Sequence, residues 1–383
     1  MDKLKVNYGG LALRSPLIVA SAGISKGFDN VQKAQQYGAG AVVLKTNFQE
    51  PLMAKSPTPR FMIIKRGKGD YASVTNMSYE QGYEFGIDRY CEEIRACKRE
   101  LDIKIIASIG CSTTEYWEKW TKMVCDAGAD AVEMNLSCPH SDYVLDSLGQ
   151  LNAMIAEAVP VVQALSRVPV FTKMTPQIEN PVQTALIMQK AGSDGVVAFS
   201  RCLGMDIDVE QELPMLHGGY GGHGGPWALH YALRWVSEMY PKLKIPISGC
   251  NGVVDWTDVV KYILCCATTV QVCFLIYAYG YSVLKDLNDG LLAYMDRKGY
   301  QTVEDFRGNI TGKIKGLYTV DREKSMIAAV NPETCTGCAR CADICIYDGI
   351  DFAEKKASIN AKCDGCGLCP YFCKFGALTM VKR

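Results

Sequence analysis

The sequence predicts an α/β chain in two parts: a closed (β/α)8 barrel of the TIM type, then a small cysteine-rich domain. Two observations carry this. Short β-branched runs recur eight times with helix-length gaps between them, and two cysteine sets of identical spacing lie near the C-terminus. The predicted boundaries are 1–308 for the barrel, 309–325 for a linker and 326–383 for the second domain. With 383 residues, 48% of them hydrophobic, the chain can bury a sizeable core.

The predicted strands, in order, are Leu17–Ser21, Ala41–Thr46, Lys104–Ile109, Ala131–Leu136, Val168–Lys173, Gly195–Ser200, Ile245–Gly249 and Thr269–Phe274. Most gaps hold an amphipathic stretch of helical period, such as Trp117–Ala127 and Val182–Ala191. An open doubly wound sheet is the alternative, but it needs fewer strands. The gap from Thr46 to Lys104 is too long for one helix. It reads as an excursion over the barrel mouth, then a helix near Phe85–Glu100. Ile263–Leu284 runs 22 residues without a charge, long enough to span a bilayer. Its Thr268, Thr269, Gln271, Gly280 and Ser282 and its β-branched first half make it instead a buried strand running into a loop and helix.

Charge and cysteine content narrow the class. Basic and acidic residues balance at 41 each, which points to neither nucleic acid nor an acidic membrane surface. The opening M-D-K-L-K-V-N-Y has no long apolar run, so no secretory signal is predicted. Of 18 cysteines, eight lie in the last 49 residues. The other ten sit in apolar surroundings, a distribution that fits a reducing, cytoplasmic compartment.

Barrels keep their chemistry at the C-terminal ends of their strands. Those ends read Ser21, Lys45 with Thr46, Cys111, Asn135 with Ser137 and Cys138, Lys173, Ser200 with Arg201, Asn251 with Gly252, and Cys273. Pro139 stops the fourth strand pattern just after Cys138, which puts that thiol at the mouth of a strand; the alternative is one more buried small hydrophobe. Two lysines closing apolar strands point to a polar or anionic ligand, because a buried ammonium needs an anionic partner. Glycine marks a phosphate site at His217–Pro226, H-G-G-Y-G-G-H-G-G-P, and at G-C-N-G, residues 249–252. Gly219–Gly224 also matches G-x-G-x-x-G, but no apolar strand precedes it, which excludes a Rossmann dinucleotide site. A flexible glycine loop is the plainer reading.

The C-terminal cysteines are the strongest signal. Cys335, Cys338, Cys341 and Cys345, then Cys363, Cys366, Cys369 and Cys373, both follow C-x2-C-x2-C-x3-C, offset by 28 residues. This is the pattern of a two-cluster 4Fe-4S ferredoxin-like domain. In it, Cys335, Cys338, Cys341 and Cys373 hold one cluster, and Cys345, Cys363, Cys366 and Cys369 the other. The usual proline after the fourth cysteine is replaced by Ile346 and Lys374. Zinc needs four ligands and has no use for a triple-plus-one spacing. Iron–sulfur cubes pass single electrons, whereas most organic substrates take a hydride. FMN converts between the two and carries one phosphate, so a barrel with a phosphate site joined to two cubes calls for FMN.

Several segments resemble the dihydroorotate/dihydropyrimidine dehydrogenase family: V-A-S-A-G at 19–23, L-K-T at 44–46, I-A-S-I-G-C-S at 106–112, E-M-N-L-S-C-P-H at 133–140, F-T-K-M-T-P at 171–176, Y-G-G-H-G-G at 220–225 and V-Q-V-C at 270–273. The resemblance implies that Ser21, Lys45, Thr46, Lys173, Gly225, Gly252 and Cys273 are FMN ligands, with Ala20, Asn251 and Phe274 beside them. It places Lys173 near the flavin N1/O2 edge, where a fixed ammonium stabilises charge gained on reduction. It makes Asn76 and Asn135, with Ser137, Ser200 and Arg201, the substrate-holding set. Cys138 becomes the general acid/base that protonates one alkene carbon while the flavin supplies hydride to its neighbour. It further implies an FAD-containing NAD(P)H subunit or a ferredoxin as electron partner, and a homo- or hetero-oligomer.

Two departures bear on the substrate: an Asn-Thr pair of the family stands here as Ser200-Arg201, and the loop after N-L-S-C-P-H is about three residues short; a third, milder one puts Asn251 in place of a glycine at the phosphate site. An arginine at a pocket favours a carboxylate, unless Arg201 folds back onto Asp206. Three functions remain open: reduction of a pyrimidine or similar cyclic amide, the same machinery on an anionic unsaturated substrate read by Arg201, and a non-catalytic electron-transfer module. The last leaves Cys138, Asn76 and Asn135 without a task.

Overall fold

A computed structural model describes residues 2–67, 73–79, 82–136, 151–217 and 219–383. The chain divides into two compact units, Met1–Lys313 and Ile314–Arg383. Gly308 N and Ile310 N donate to the carbonyls of Ile263 and Leu264. These bonds tie the start of the predicted linker to the first unit, which therefore runs past residue 308.

The first unit alternates strand and helix. In order it contains β1 (Leu17–Val19), α1 (Phe28–Gln36), β2 (Ala41–Val43), α2 (Gly86–Glu100), β3 (Lys104–Gly110), α3 (Thr114–Asp126), β4 (Ala131–Asn135) and α4 (Leu151–Leu165). There follow β5 (Val170–Met174), α5 (Pro181–Ala191), β6 (Gly195–Ala198), α6 (Ala228–Met239), β7 (Ile247–Cys250), α7 (Trp256–Leu264), β8 (Thr269–Val272) and α8 (Val283–Lys298). The strands pair in parallel in the order β2-β1-β8-β7-β6-β5-β4-β3. A further pairing of Ala41–Val43 with Lys104–Ile106 closes the ring. This is a (β/α)8 barrel.

The strands are apolar without alternation because both faces are covered: in β1, β2, β5, β6, β7 and β8 every residue is buried. Helix ends follow local chemistry. Asn180 accepts from the amides of Val182 and Gln183 at the start of α5, where Pro181 has no N–H to satisfy. Asp255 accepts from Thr257 N at 2.6 Å to open α7. Gly192 (φ +106°) and Gly299 (φ +77°) end α5 and α8 in a left-handed turn.

Ile263–Leu284 resolves into the end of α7, all of β8, a short helix Phe274–Tyr279 and the start of α8. Among the described residues no helix is long and apolar enough to cross a membrane. The gap between β2 and α2 holds a hairpin, Phe61–Arg66 with Ser73–Ser78.

The second unit contains β9 (Met326–Val330), β10 (Ile350–Ala353), β11 (Lys356–Ile359) and β12 (Leu378–Lys382). β9 pairs with β12 and β10 with β11, both antiparallel. Its buried core is Ala328, Ile350, Ala357, Ala377 and Leu378 with Cys335 and Cys369. Three alanines, two larger aliphatics and two thiols are little apolar mass for a separate unit.

Candidate active site

The strand ends of the barrel open into one cleft. Ala20 and Ser21 follow β1, Lys45 and Thr46 follow β2, and Asn135 ends β4. Lys173 comes from β5, Ser200 and Arg201 from beyond β6, Cys250 and Asn251 from the end of β7, and Cys273 from beyond β8. The cleft encloses about 770 Å³ of empty space, the solvent at its open mouth included. Phe48, Phe61, Phe199 and Tyr277 give it aromatic walls, with Phe61 and Tyr277 at 5.1 Å between ring centroids.

The Thr46 hydroxyl organises one side. Thr46 N donates to Ser21 Oγ at 2.8 Å, and Thr46 Oγ1 shares hydrogen bonds of 2.8 Å with both Ser21 Oγ and Ser108 Oγ. Asn135 Nδ2 donates to the same Thr46 oxygen at 3.0 Å. Residues from four separate strand ends are thereby fixed to one atom, with their geometry set before any ligand arrives.

Lys173 is explained within the barrel. Its Nζ donates to Gln271 Oε1 at 2.9 Å and lies 3.5 Å from Glu133 Oε1. Of the two lysines that close apolar strands, Lys173 therefore already has the buried carboxylate of Glu133 nearby, and its burial alone does not call for an anionic ligand, contrary to the expectation from sequence. Burial pulls the Lys173 pKa down, but Glu133, then the thiols of Cys250 and Cys273, more than restore it, leaving it above the usual lysine range. Burial pushes the Cys250 thiol up, and Lys173 offsets only part of that.

A small antiparallel sheet roofs the site. The hairpin Phe61–Arg66 and Ser73–Ser78 is continued by Gly221–Gly224 and then Cys202–Gly204. The glycine run expected to be a loop is thus an interior strand, with Gly224 opposite Asn76 and Gly222 opposite Ser78. Asn76 reaches the cleft from this roof. Arg201 Nη1 donates to Ser78 Oγ, also from the roof. A Cβ on Gly222 would stand 2.6 Å from Arg201 Cζ, so glycine there makes room for the guanidinium. The fold-back of Arg201 onto Asp206 is overturned, because Asp206 is held by Arg66 at 2.5 Å.

Gly225, Gly252 and Phe274 are not among the residues lining the cleft. Gly252 has φ +76°, and a Cβ on it would fall 2.3 Å from Leu229 N in the first turn of α6. A Cβ on Gly225 would fall 2.3 Å from Val74 O. Both glycines permit backbone approaches that a side chain forbids. Asn251 has φ +92°, a conformation glycine adopts freely, and its amide donates to Ser200 O at 2.7 Å. Ser137 and Cys138 lie outside the described residues. Sequence reasoning missed Glu133, Gln271, Ser108, Ser78 and the aromatic walls.

In the second unit the eight motif cysteines line two cavities. One is bordered by Cys345, Cys363, Cys366 and Cys369, the other by Cys335, Cys338, Cys341 and Cys373. Each cavity takes three cysteines from one motif and the last from the other. Gly349 N donates to Cys345 Sγ and Ala377 N to Cys373 Sγ, both at 3.3 Å, the same bond repeated 28 residues on. Among the described residues no group of three or more His, Cys, Asp or Glu side chains is arranged to hold a single metal ion.

Comparison with known proteins agrees with the barrel. The family model described as dihydroorotate dehydrogenase matches residues 3–295. Over 396 aligned residues the chain is 29% identical to the NAD-dependent dihydropyrimidine dehydrogenase subunit PreA of Escherichia coli (strain K12), covering 98% of this chain and 95% of that one. It is 30% identical over 305 residues to the catalytic subunit of dihydroorotate dehydrogenase B (NAD(+)) of Pyrococcus abyssi, covering 80% of this chain and 98% of that one. The corresponding subunit of Methanocaldococcus jannaschii is 28% identical over 310 residues, again 80% of this chain. A match covering 98% must run into the second unit; one covering 80% need not.

Proposed function

Because the chain belongs to the dihydroorotate dehydrogenase family, we propose that it is an FMN-dependent iron–sulfur oxidoreductase that reversibly reduces a C=C bond of a pyrimidine or similar cyclic amide. The observation that carries this reading is the convergence of Asn76, Asn135 and Lys173 on one cleft at the C-terminal mouth of the barrel. The residues present fit FMN. Gly252 packs against the first turn of α6, a helix N-terminus whose dipole favours an anion such as phosphate. Ser21, Lys45, Thr46, Lys173 and Cys273 border the space beside it.

FMN, when bound, supplies a hydride to one carbon of the double bond or takes it back. The chain's own side chains do the rest. Asn76 and Asn135 present amide donors and acceptors to a cyclic imide. Cys138, three residues after Asn135, gives the proton to the neighbouring carbon in reduction and removes it in oxidation. Cys335, Cys338, Cys341 and Cys373 would hold one 4Fe-4S cluster and Cys345, Cys363, Cys366 and Cys369 the other, and the two would supply single electrons. The crossed lining of the two cavities supports that assignment. The electron source is another protein, an FAD-containing NAD(P)H subunit or a ferredoxin.

A second reading has its own observation. Lys45, Lys173 and Arg201 border the cleft, and no carboxylate does among the described residues. An anionic substrate, paired with Arg201, fits that charge. One experiment separates the readings: the reduced holoenzyme is offered uracil, thymine and a panel of unsaturated carboxylic acids. Turnover of the neutral pyrimidines, unchanged in Arg201→Ala, supports the first. Turnover confined to acids and lost in Arg201→Ala supports the second. No turnover of any unsaturated compound sinks both and leaves an electron-transfer module.

A further inference from the structure

Lys173, Gln271 and Glu133 form a connected layer of charge and amide among the buried residues of the barrel strands. They come from β5, β8 and β4, and β8 stands opposite β4 in the closed ring. All three are buried, Glu133 to 1% and Gln271 to 2% exposure. Gln271 is the spacer: its Oε1 accepts from Lys173 Nζ at 2.9 Å and its Nε2 donates to Glu133 Oε2 at 2.7 Å. Glu133 Oε1 has no hydrogen-bond partner among the described residues and faces Lys173 Nζ at 3.5 Å.

Stability does not account for this layer. Well-packed apolar residues in place of a buried ion pair are often as stable or more so. The layer has one end open to function, because Lys173 also borders the cleft. Its ammonium has three N–H bonds; one goes to Gln271, one side faces Glu133 Oε1 at 3.5 Å, and one side is left for a group in the cleft. Without a carboxylate nearby, burial drives a lysine toward its neutral form.

We propose that Glu133 and Gln271 are positioning residues that hold the Lys173 ammonium in place toward the cofactor in the cleft, so that they set how readily that cofactor is reduced. The inference rests on the reading that FMN binds there. Two electrons and one proton reduce the flavin ring, which gains one negative charge. A fixed cation favours the product, and Glu133 keeps the cation present. Gln271 takes up Glu133 Oε2, so that only one carboxylate oxygen faces Lys173, at 3.5 Å.

The test is a spectroelectrochemical titration of the flavin in the full holoenzyme. Wild type is compared with Glu133→Gln, Gln271→Met, Lys173→Met and the pairwise combinations with Lys173→Met. Glu133→Gln and Gln271→Met should each shift the two-electron equilibrium at least tenfold toward oxidised flavin, about 30 mV more negative. Combined with Lys173→Met, neither should shift it beyond Lys173→Met alone. Flavin-loaded variants with unmoved potentials, with potentials moved positive, or with shifts that add to that of Lys173→Met overturn the proposal. Should Glu133→Gln fail to fold, Gln271→Met carries the same arms. A wild-type chain that takes up no FMN overturns the FMN reading instead.

Discussion

At the scale of single residues the proton donor is the sharpest test. Cys138→Ala should retain FMN and still accept electrons from a strong reductant. It should lose about 10²–10⁴-fold in substrate turnover, the usual worth of a positioned acid or base. Near-wild-type turnover would move the role to Ser147 or Tyr143, the next candidates along the sequence. Thr46→Val tests the hydroxyl hub. It strips a partner from Ser21, Ser108 and Asn135, a loss of about 1–3 kcal/mol where a buried polar atom stays unsatisfied. A lowered melting temperature with a raised KM is expected; an unchanged KM would mean that Asn135 does not depend on Thr46. The sequence made Lys45 and Lys173 visible, because a charge closing an apolar strand is conspicuous. Glu133 and Gln271 carry a similar signal, a charge and an amide inside the apolar runs A-V-E-M-N and T-V-Q-V. What could not be read was that Gln271 reaches both Lys173 and Glu133 inside the ring.

At the scale of elements, the eight strands were legible because burial on both faces writes itself as unbroken β-branched runs. The roof sheet was not. Gly221–Gly224 has no side-chain alternation to announce a strand, and one of its two partners is a hairpin strand well over a hundred residues earlier. The glycines now divide into two kinds. Gly252→Ala meets both a positive φ and a backbone atom at 2.3 Å, so it should lose bound flavin and melt earlier. Gly224→Ala meets nothing within 4 Å and should keep its flavin. Flavin content after gel filtration distinguishes them, and full retention by Gly252→Ala would remove that loop from the phosphate site.

At the scale of the whole molecule, the two units differ in what holds them together. The barrel has a large apolar core, whereas the second unit has a handful of small buried residues. If two clusters supply the missing cohesion, the purified protein should carry about eight irons and one FMN. Removing iron should unfold the second unit at a temperature where the barrel's circular dichroism persists. About four irons, or zinc, would overturn the crossed assignment. The chain alone should also oxidise NADH or NADPH poorly, since it has no Rossmann fingerprint; rapid NADH consumption with substrate present and no partner protein would overturn the need for a second subunit. The cysteine spacing made this tail the most readable part of the sequence.

The roof has a consequence for how such an enzyme diversifies. Asn76, Ser78 and the anchor of Arg201 hang from a sheet whose ladder is separate from the one that closes the barrel. Descendants of one ancestor can therefore redraw the roof, residue by residue, while inheriting the strand-end residues beneath it intact. On the proposed reading, part of what is recognised can then diverge while the cofactor's surroundings persist.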